Sequence, residues 1–203
     1  MIKIGINGFG RIGRLVLRAV LENYNKKIEV VAINDLGSIE ANAHLIKYDS
    51  THGILNHDIK TSKDGFIINT QNIKVFAERD PQNIPWKDVG VDIVLECTGI
   101  FLDKSSALKH IKAGAKKVII SAPGKEVDFT IVQGVNSNEL KKDHNIISNG
   151  SCTTNCLAPV AMVLEKTFGI NYRYMTTIHS YTGDQKLLDT LHKELRRARS
   201  TEG

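Results

Sequence analysis

The chain has 203 residues, enough for one large domain or one and a half, and 41% of them are hydrophobic, enough to build a buried core. No apolar run reaches the length of a membrane span and the N-terminus carries no signal-peptide pattern, so neither a membrane protein nor a secreted one is expected. Three cysteines, Cys97, Cys152 and Cys156, suggest no disulfide framework and a reduced, cytoplasmic setting, while a net charge of +5 with Lys and Arg interspersed among Asp and Glu does not argue for nucleic acid.

Residues 2–7 read as a buried strand. Residues 11–21 carry apolar side chains at 12, 15, 16, 19 and 20, which is helical spacing. Residues 28–34, rich in Val and Ile, are the next strand, and residues 38–45 are predicted to form a helix with Ser38 as N-cap. This βαβ order implies a parallel sheet with right-handed crossovers. Between 49 and 85, the short pieces 66–68 and 73–76 predict a small antiparallel elaboration. Alternation then resumes with a strand at 91–96, a helix at 104–113, and strands at 117–120, 129–132 and 146–148. Beyond Gly150, residues 151–168 are predicted to be helical, with Pro159 expected to kink the helix or remove a hydrogen bond. Residues 172–179 read as a strand.

Gly8-Phe9-Gly10-Arg11-Ile12-Gly13 fits G-x-G-x-x-G. It follows a strand, opens a helix, and is answered by Asp35 at the end of the second strand, the full context of a dinucleotide fingerprint. Gly8 permits the tight turn, Gly10 lets a pyrophosphate approach the backbone, and Gly13 lets the helix pack on the sheet. Asp35 is expected to accept hydrogen bonds from a ribose hydroxyl and to repel a 2′-phosphate, which favours NAD over NADP; the plainer alternative is that it only caps the helix near Ser38. Thr98-Gly99 and Ser121-Ala122-Pro123 follow two further strands, where other nucleotide contacts belong. The expected fold is therefore α/β. A Rossmann-type doubly wound parallel sheet over 1–150 is followed, over 151–203, by the incomplete start of an α+β substrate domain. One helix and one strand are too little for an independent second domain.

Cys152 follows the turn residues Asn149-Gly150 at the first turn of a predicted helix, where unpaired N–H groups favour a thiolate. An aldehyde can lose hydride only once it carries a second heteroatom, and a cysteine supplies one by adding to the carbonyl. His179 is the candidate base. Spacing alone leaves Cys152 open between this role and that of a small helix residue. Cys156, one turn on, and Cys97, at the end of a strand, read as structural. His44, His52, His57, His110, His144 and His192 read as surface or structural residues, and no Cys/His spacing resembles a metal site.

Several stretches carry a resemblance together: Ile6-Asn7-Gly8-Phe9-Gly10-Arg11-Ile12-Gly13-Arg14, Asn34-Asp35-Leu36, Lys47-Tyr48-Asp49-Ser50, Glu78-Arg79-Asp80-Pro81, Glu96-Cys97-Thr98-Gly99, Ser148-Asn149-Gly150 through Cys156, and Thr176-Thr177-Ile178-His179-Ser180-Tyr181-Thr182. The chain resembles the phosphorylating glyceraldehyde-3-phosphate dehydrogenases. The resemblance implies Cys152 as nucleophile and His179 as its activating base. It implies contacts to NAD from Arg11, Ile12, Asp35, Arg79 and Ser121. Ser151, Thr153, Thr182 and Arg197 would bind the phosphate of glyceraldehyde 3-phosphate or the attacking inorganic phosphate. A cytoplasmic homotetramer working in glycolysis and gluconeogenesis is implied as well. Erythrose-4-phosphate dehydrogenases share Asp184-Gln185 and Leu195-Arg196-Arg197, but that family has Glu in place of Asp35 and lacks the hydroxyl of Thr182. Gly150 and Thr190-Leu191 depart from the usual pattern, the latter bearing on strictness for NAD. The family continues well beyond this point, which makes a nucleotide-binding fragment without turnover the second expectation, with the basic stretch 193–199 as an accessible charged patch.

Overall fold

The computed structural model describes residues 1–192 and 194–200; Lys193, the first residue of the predicted basic stretch, and residues 201–203 lie outside the described residues. The chain divides into two compact units, Met1–Lys166 and Thr167–Gly203.

In the first unit, β1 (Ile2–Asn7) runs into α1 (Arg11–Ala19), which continues as one turn of π-helix over Val20–Tyr24. Then come β2 (Ile28–Asn34) and α2 (Ile39–Lys47), whose N-cap Ser38 accepts from the Ala41 amide as its sequence predicts. A two-stranded ribbon, β3 (Tyr48–Asp49) with β4 (Gly53–Ile54), precedes β5 (Ile59–Ser62), β6 (Gly65–Ile68) and β7 (Gln71–Phe76). The remaining elements are β8 (Ile93–Glu96), α3 (Lys104–Lys112), β9 (Lys117–Ile120), β10 (Phe129–Thr130), β11 (Ile146–Ser148) and α4 (Cys152–Phe168).

Among the described residues, nine strands form one sheet in the order β10-β11-β9-β8-β1-β2-β7-β6-β5. β1 lies at its centre, parallel to both β2 and β8. Ile4, Ile6, Val30 and Ile33 are buried there, as expected of a parallel sheet covered on both faces. The chain winds outward from β1 in both directions, so the strand order reverses between β1 and β8. A crevice opens at the carboxyl ends of strands at such a switch point.

The expected antiparallel elaboration between 49 and 85 forms: β6 pairs antiparallel with both β5 and β7, and β7 pairs parallel to β2, which joins it to the main sheet. One expectation needs correction. Residues 172–179 form no strand. Tyr172, Tyr174 and Ile178 are exposed, and without a neighbouring strand to take its N–H and C=O groups an apolar stretch gains nothing by extending into a ladder. The predicted α4 does form, and it runs through Pro159. The proline lacks the N–H that would bond the carbonyl one turn earlier, a loss the long helix tolerates.

The described residues of the second unit are mostly irregular, with one 3₁₀ turn at Leu195–Ala198. No helix among the described residues is long and apolar enough to cross a membrane.

Candidate active site

The start of α1 is built for an anion. Its N-cap, Gly10, has no side chain to bond the first-turn amides, and that turn holds no acidic residue. By contrast, Ser38 caps α2 and Asp103 caps α3. The N–H groups of α1 are thus left for an outside acceptor. A β-carbon added at Gly10 would meet nothing within 4 Å, so the backbone is open to close approach.

Asp35 lies across from this turn. Its carboxylate accepts from the Phe9 amide at 2.8 Å, from the Gly37 amide at 2.8 Å and from Asn42 Nδ2 at 3.2 Å. It therefore ties the glycine-rich turn to the end of β2 rather than capping α2, which Ser38 does. Gly8, Gly10, Asp35, Arg79 and Thr98 line one cleft of about 500 Å³ at the switch point. Asp35→Ala is expected to weaken NAD binding at least about tenfold and to remove roughly 1–3 kcal/mol of stability, because the Phe9 and Gly37 amides lose an acceptor. Calorimetric titration and chemical unfolding measure the two; lost stability with unchanged affinity would reduce Asp35 to a structural tie.

A second cleft of about 310 Å³ is lined by Ile12, Ser121, Asn149, Ser151 and Cys152. Cys97 lines both clefts, so they neighbour one another just past the end of β8. Ser151 opens α4: its Oγ accepts from the Thr154 amide at 3.0 Å, and the Asn155 side chain donates to the Asn149 carbonyl at 2.6 Å. These bonds fix the turn that presents Cys152 as the first residue of the helix. Cys152 and Cys156 are both exposed, so Cys156 is not the packed residue its neighbours suggested. Thr153 is half-buried on the same turn.

Cys97 differs. Burial pushes its thiol up to about 11, against a lowering by the hydroxyl of Ser121 and with a further push from Glu96. Folding therefore loses stability as pH rises from the thiol's ordinary 9.0 towards 11, since only the unfolded chain ionises there readily. Iodoacetamide at pH 8 is expected to label Cys152 and Cys156 first and Cys97 at least about tenfold more slowly, as peptide mass spectrometry would read. Equal labelling of all three would contradict the burial of Cys97.

Arg11 turns to Asp49, with Nη1 2.6 Å from Oδ2. The Asp49 carboxyl is held at about 2, chiefly by the His52 and Thr51 amides and secondarily by Arg11. His179, Thr182 and Arg197 belong to the second unit. There Thr182 N–H bonds Gln185, and Arg197 pairs with Asp184 and with Glu194. His192 and Arg197 together hold the Asp184 carboxyl below its usual range.

Sequence reasoning missed a polar cluster beneath the first cleft. Asn7, Asn34, Glu96 and His110 are buried and mutually bonded, with Trp86 against His110. The available signal was a glutamate closing an otherwise apolar strand.

Among known proteins, the glyceraldehyde 3-phosphate dehydrogenase NAD binding domain matches residues 2–104, and the C-terminal domain of that family matches residues 151–203. The chain is 55% identical over 199 residues to glyceraldehyde-3-phosphate dehydrogenase of Xanthobacter flavus, covering 98% of this chain and 59% of that protein. It is 56% identical over 200 residues to that of Geobacillus stearothermophilus, covering 98% and 59%, and 53% identical over 200 residues to that of Thermotoga maritima, covering 98% and 60%. The chain thus spans about three fifths of the length of the curated relatives it matches.

Proposed function

Because the chain belongs to the glyceraldehyde-3-phosphate dehydrogenase family, we propose that it binds NAD and serves the oxidative phosphorylation of glyceraldehyde 3-phosphate to 1,3-bisphosphoglycerate. The supporting observation is that Cys97 lines two neighbouring clefts, one bounded by the glycine-rich turn and Asp35, the other by Cys152. A dinucleotide lying along both would have its phosphates on α1 and its far end beside the thiol.

In this reading Cys152 gives its thiol proton to His179, Sγ adds to the aldehyde carbon, and the proton passes to the carbonyl oxygen to complete a hemithioacetal. His179 takes the hydroxyl proton as the C–H bond breaks, leaving a thioester on Sγ. NAD, when bound, supplies the hydride acceptor. An oxygen of inorganic phosphate then attacks the thioester carbon, the C–S bond breaks, and Cys152 is released with the acyl phosphate formed. In the same reading the amide of Cys152, at the start of α4, donates to the developing oxyanion. Ser151 and Thr153 flank the thiol with hydroxyls suited to phosphate oxygens, and Thr182 and Arg197 complete the phosphate-binding set. On the cofactor side, Gly8, Gly10 and Gly13 form the fingerprint, with Arg11 and Ile12 standing between the last two. Arg79, Thr98 and Ser121 supply the remaining cofactor contacts. The functional division falls at Gly150, with 1–150 holding NAD and 151–203 forming the first part of the catalytic domain. A cytoplasmic homotetramer belongs to the same proposal.

One observation favours a second reading. Arg197 is engaged by two carboxylates, Asp184 and Glu194, which compete with phosphate for its guanidinium. A chain in this state would hold NAD without turning over. NADH formation with glyceraldehyde 3-phosphate, NAD and phosphate, alongside calorimetric NAD titration, separates the two. Turnover supports the dehydrogenase; binding without turnover supports the second reading; absence of both overturns the nucleotide assignment itself.

A further inference from the structure

The buried polar cluster under the first cleft has a single root. Glu96, at the end of β8, is fully buried and receives four donors. Oε2 accepts from Asn7 Nδ2 at 2.6 Å and from His110 Nε2 at 2.9 Å. Oε1 accepts from the Thr98 amide at 2.8 Å and from the Thr98 hydroxyl.

The direction of every bond follows from its neighbours. Trp86 Nε1–H can only donate, and it lies 3.0 Å from His110 Nδ1, so that nitrogen accepts and the ring proton sits on Nε2, facing Glu96. Asn34 Oδ1 accepts from the Glu78 amide, so its Nδ2 donates to Asn7 Oδ1 and to the Glu78 carbonyl. Asn7 is thereby turned with its Nδ2 towards Glu96. Thr98 Oγ1 accepts from the Ile100 amide, leaving its hydrogen for Glu96.

The strand ends and loops that line the cleft are thus tied together: Asn7 at the end of β1, Asn34 at the end of β2, Glu78 after β7, and Thr98 with Ile100 after β8. Glu96 itself is absent from the lining. We propose that Glu96 is a positioning residue of the dinucleotide cleft, one that sets the loop at Thr98–Ile100 and the orientation of Asn7 through a carboxylate that touches no ligand. This inference rests on the NAD reading given above.

Substitution by glutamine keeps the size of Glu96 but sets an NH₂ group against partners that are all donors, so two hydrogens collide wherever the amide turns. Glu96→Gln is therefore expected to bind NAD about tenfold more weakly, measured by calorimetry well below its melting temperature, where essentially all of it is folded. Glu96→Asp keeps the charge with a shorter reach and is expected to fall between the two. A purely structural role would lower the melting temperature and leave the affinity of the folded protein unchanged, which would overturn the proposal.

Two further measurements guard the result. Amide exchange at Thr98 and Ile100 in the ligand-free protein should quicken at least about tenfold in Glu96→Gln. If the unaltered chain binds no NAD, the nucleotide reading fails; faster exchange would still support the setting of the loop by Glu96, and unchanged exchange would overturn that too. Should the Glu96 variants not fold, Trp86→Phe removes the donor that holds the His110 tautomer, at a residue that does not itself line the cleft. It is expected to weaken NAD binding about threefold. An unchanged affinity there would count against the network.

Discussion

Cys152→Ser is expected to lower NADH formation by at least about a thousandfold while leaving NAD affinity within roughly twofold. Serine matches cysteine closely in size, and the residue is exposed at the first turn of α4, so packing changes little. What is lost is the nucleophile: a hydroxyl at that position forms the adduct poorly and gives an ester in place of a thioester. The ties that shape the turn, from Ser151 to Thr154 and from Asn155 to Asn149, do not involve the sulfur. Cys156→Ser is the matched control, one helical turn away and also exposed, and should leave turnover within about twofold. Absorbance of NADH in a preparation that turns over provides the readout. Near-normal turnover in Cys152→Ser would overturn the covalent mechanism, and equal loss in both variants would point to a helix effect.

Gly13→Ala is expected to destabilise the first unit by roughly 3 kcal/mol, the upper end for overpacking. A β-carbon there would stand 2.2 Å from the Gly8 carbonyl oxygen and 3.1 Å from Ile6 Cγ2. The Gly8 backbone has nowhere to go. Its N–H is bonded to the Asn34 carbonyl at 2.8 Å, its φ is +89°, and Thr98 crowds its other side. Relief therefore requires α1 to lift from β1, exposing Leu17 and Val20. The N-terminal amides of α1 would move with it, so NAD affinity should also fall more than about tenfold. Gly10→Ala makes the contrast. Open space surrounds that position, so stability should hold within about 0.5 kcal/mol while NAD binding is lost to the methyl group alone. Urea unfolding and calorimetry separate the two; parallel losses in both variants would mean that the turn responds as a unit and that Gly10 has no ligand-facing role.

Much of the nucleotide half is legible from local signals. The alternation of Val and Ile with helical spacing places β1, α1, β2, α2, β8, α3 and β9 within a few residues of where they form, and Ser38 announces its helix. Cys152 is legible as a helix-start residue because a turn of Asn149 and Gly150 precedes it. The same reasoning fails at residues 172–179, where an apolar pattern finds no pairing strand; at β7 it finds the strand, while the pairing with β2 is chosen by the sheet and not by its own residues.

Local sequence was thus enough for the glycine-rich turn, the acidic residue that answers it, and the thiol at the head of α4. Each depends on turn chemistry or periodicity within a short stretch of chain. Folding was needed to decide that Asp35 grips the Phe9 amide, that Cys97 lines two neighbouring clefts with its thiol pushed up by burial, and that Glu96 gathers Asn7, Thr98 and His110. These groups come from strands and helices far apart along the chain. They meet only because parallel strands in register bring their carboxyl ends together at the switch point, where a buried polar atom must bond whatever neighbour the sheet supplies.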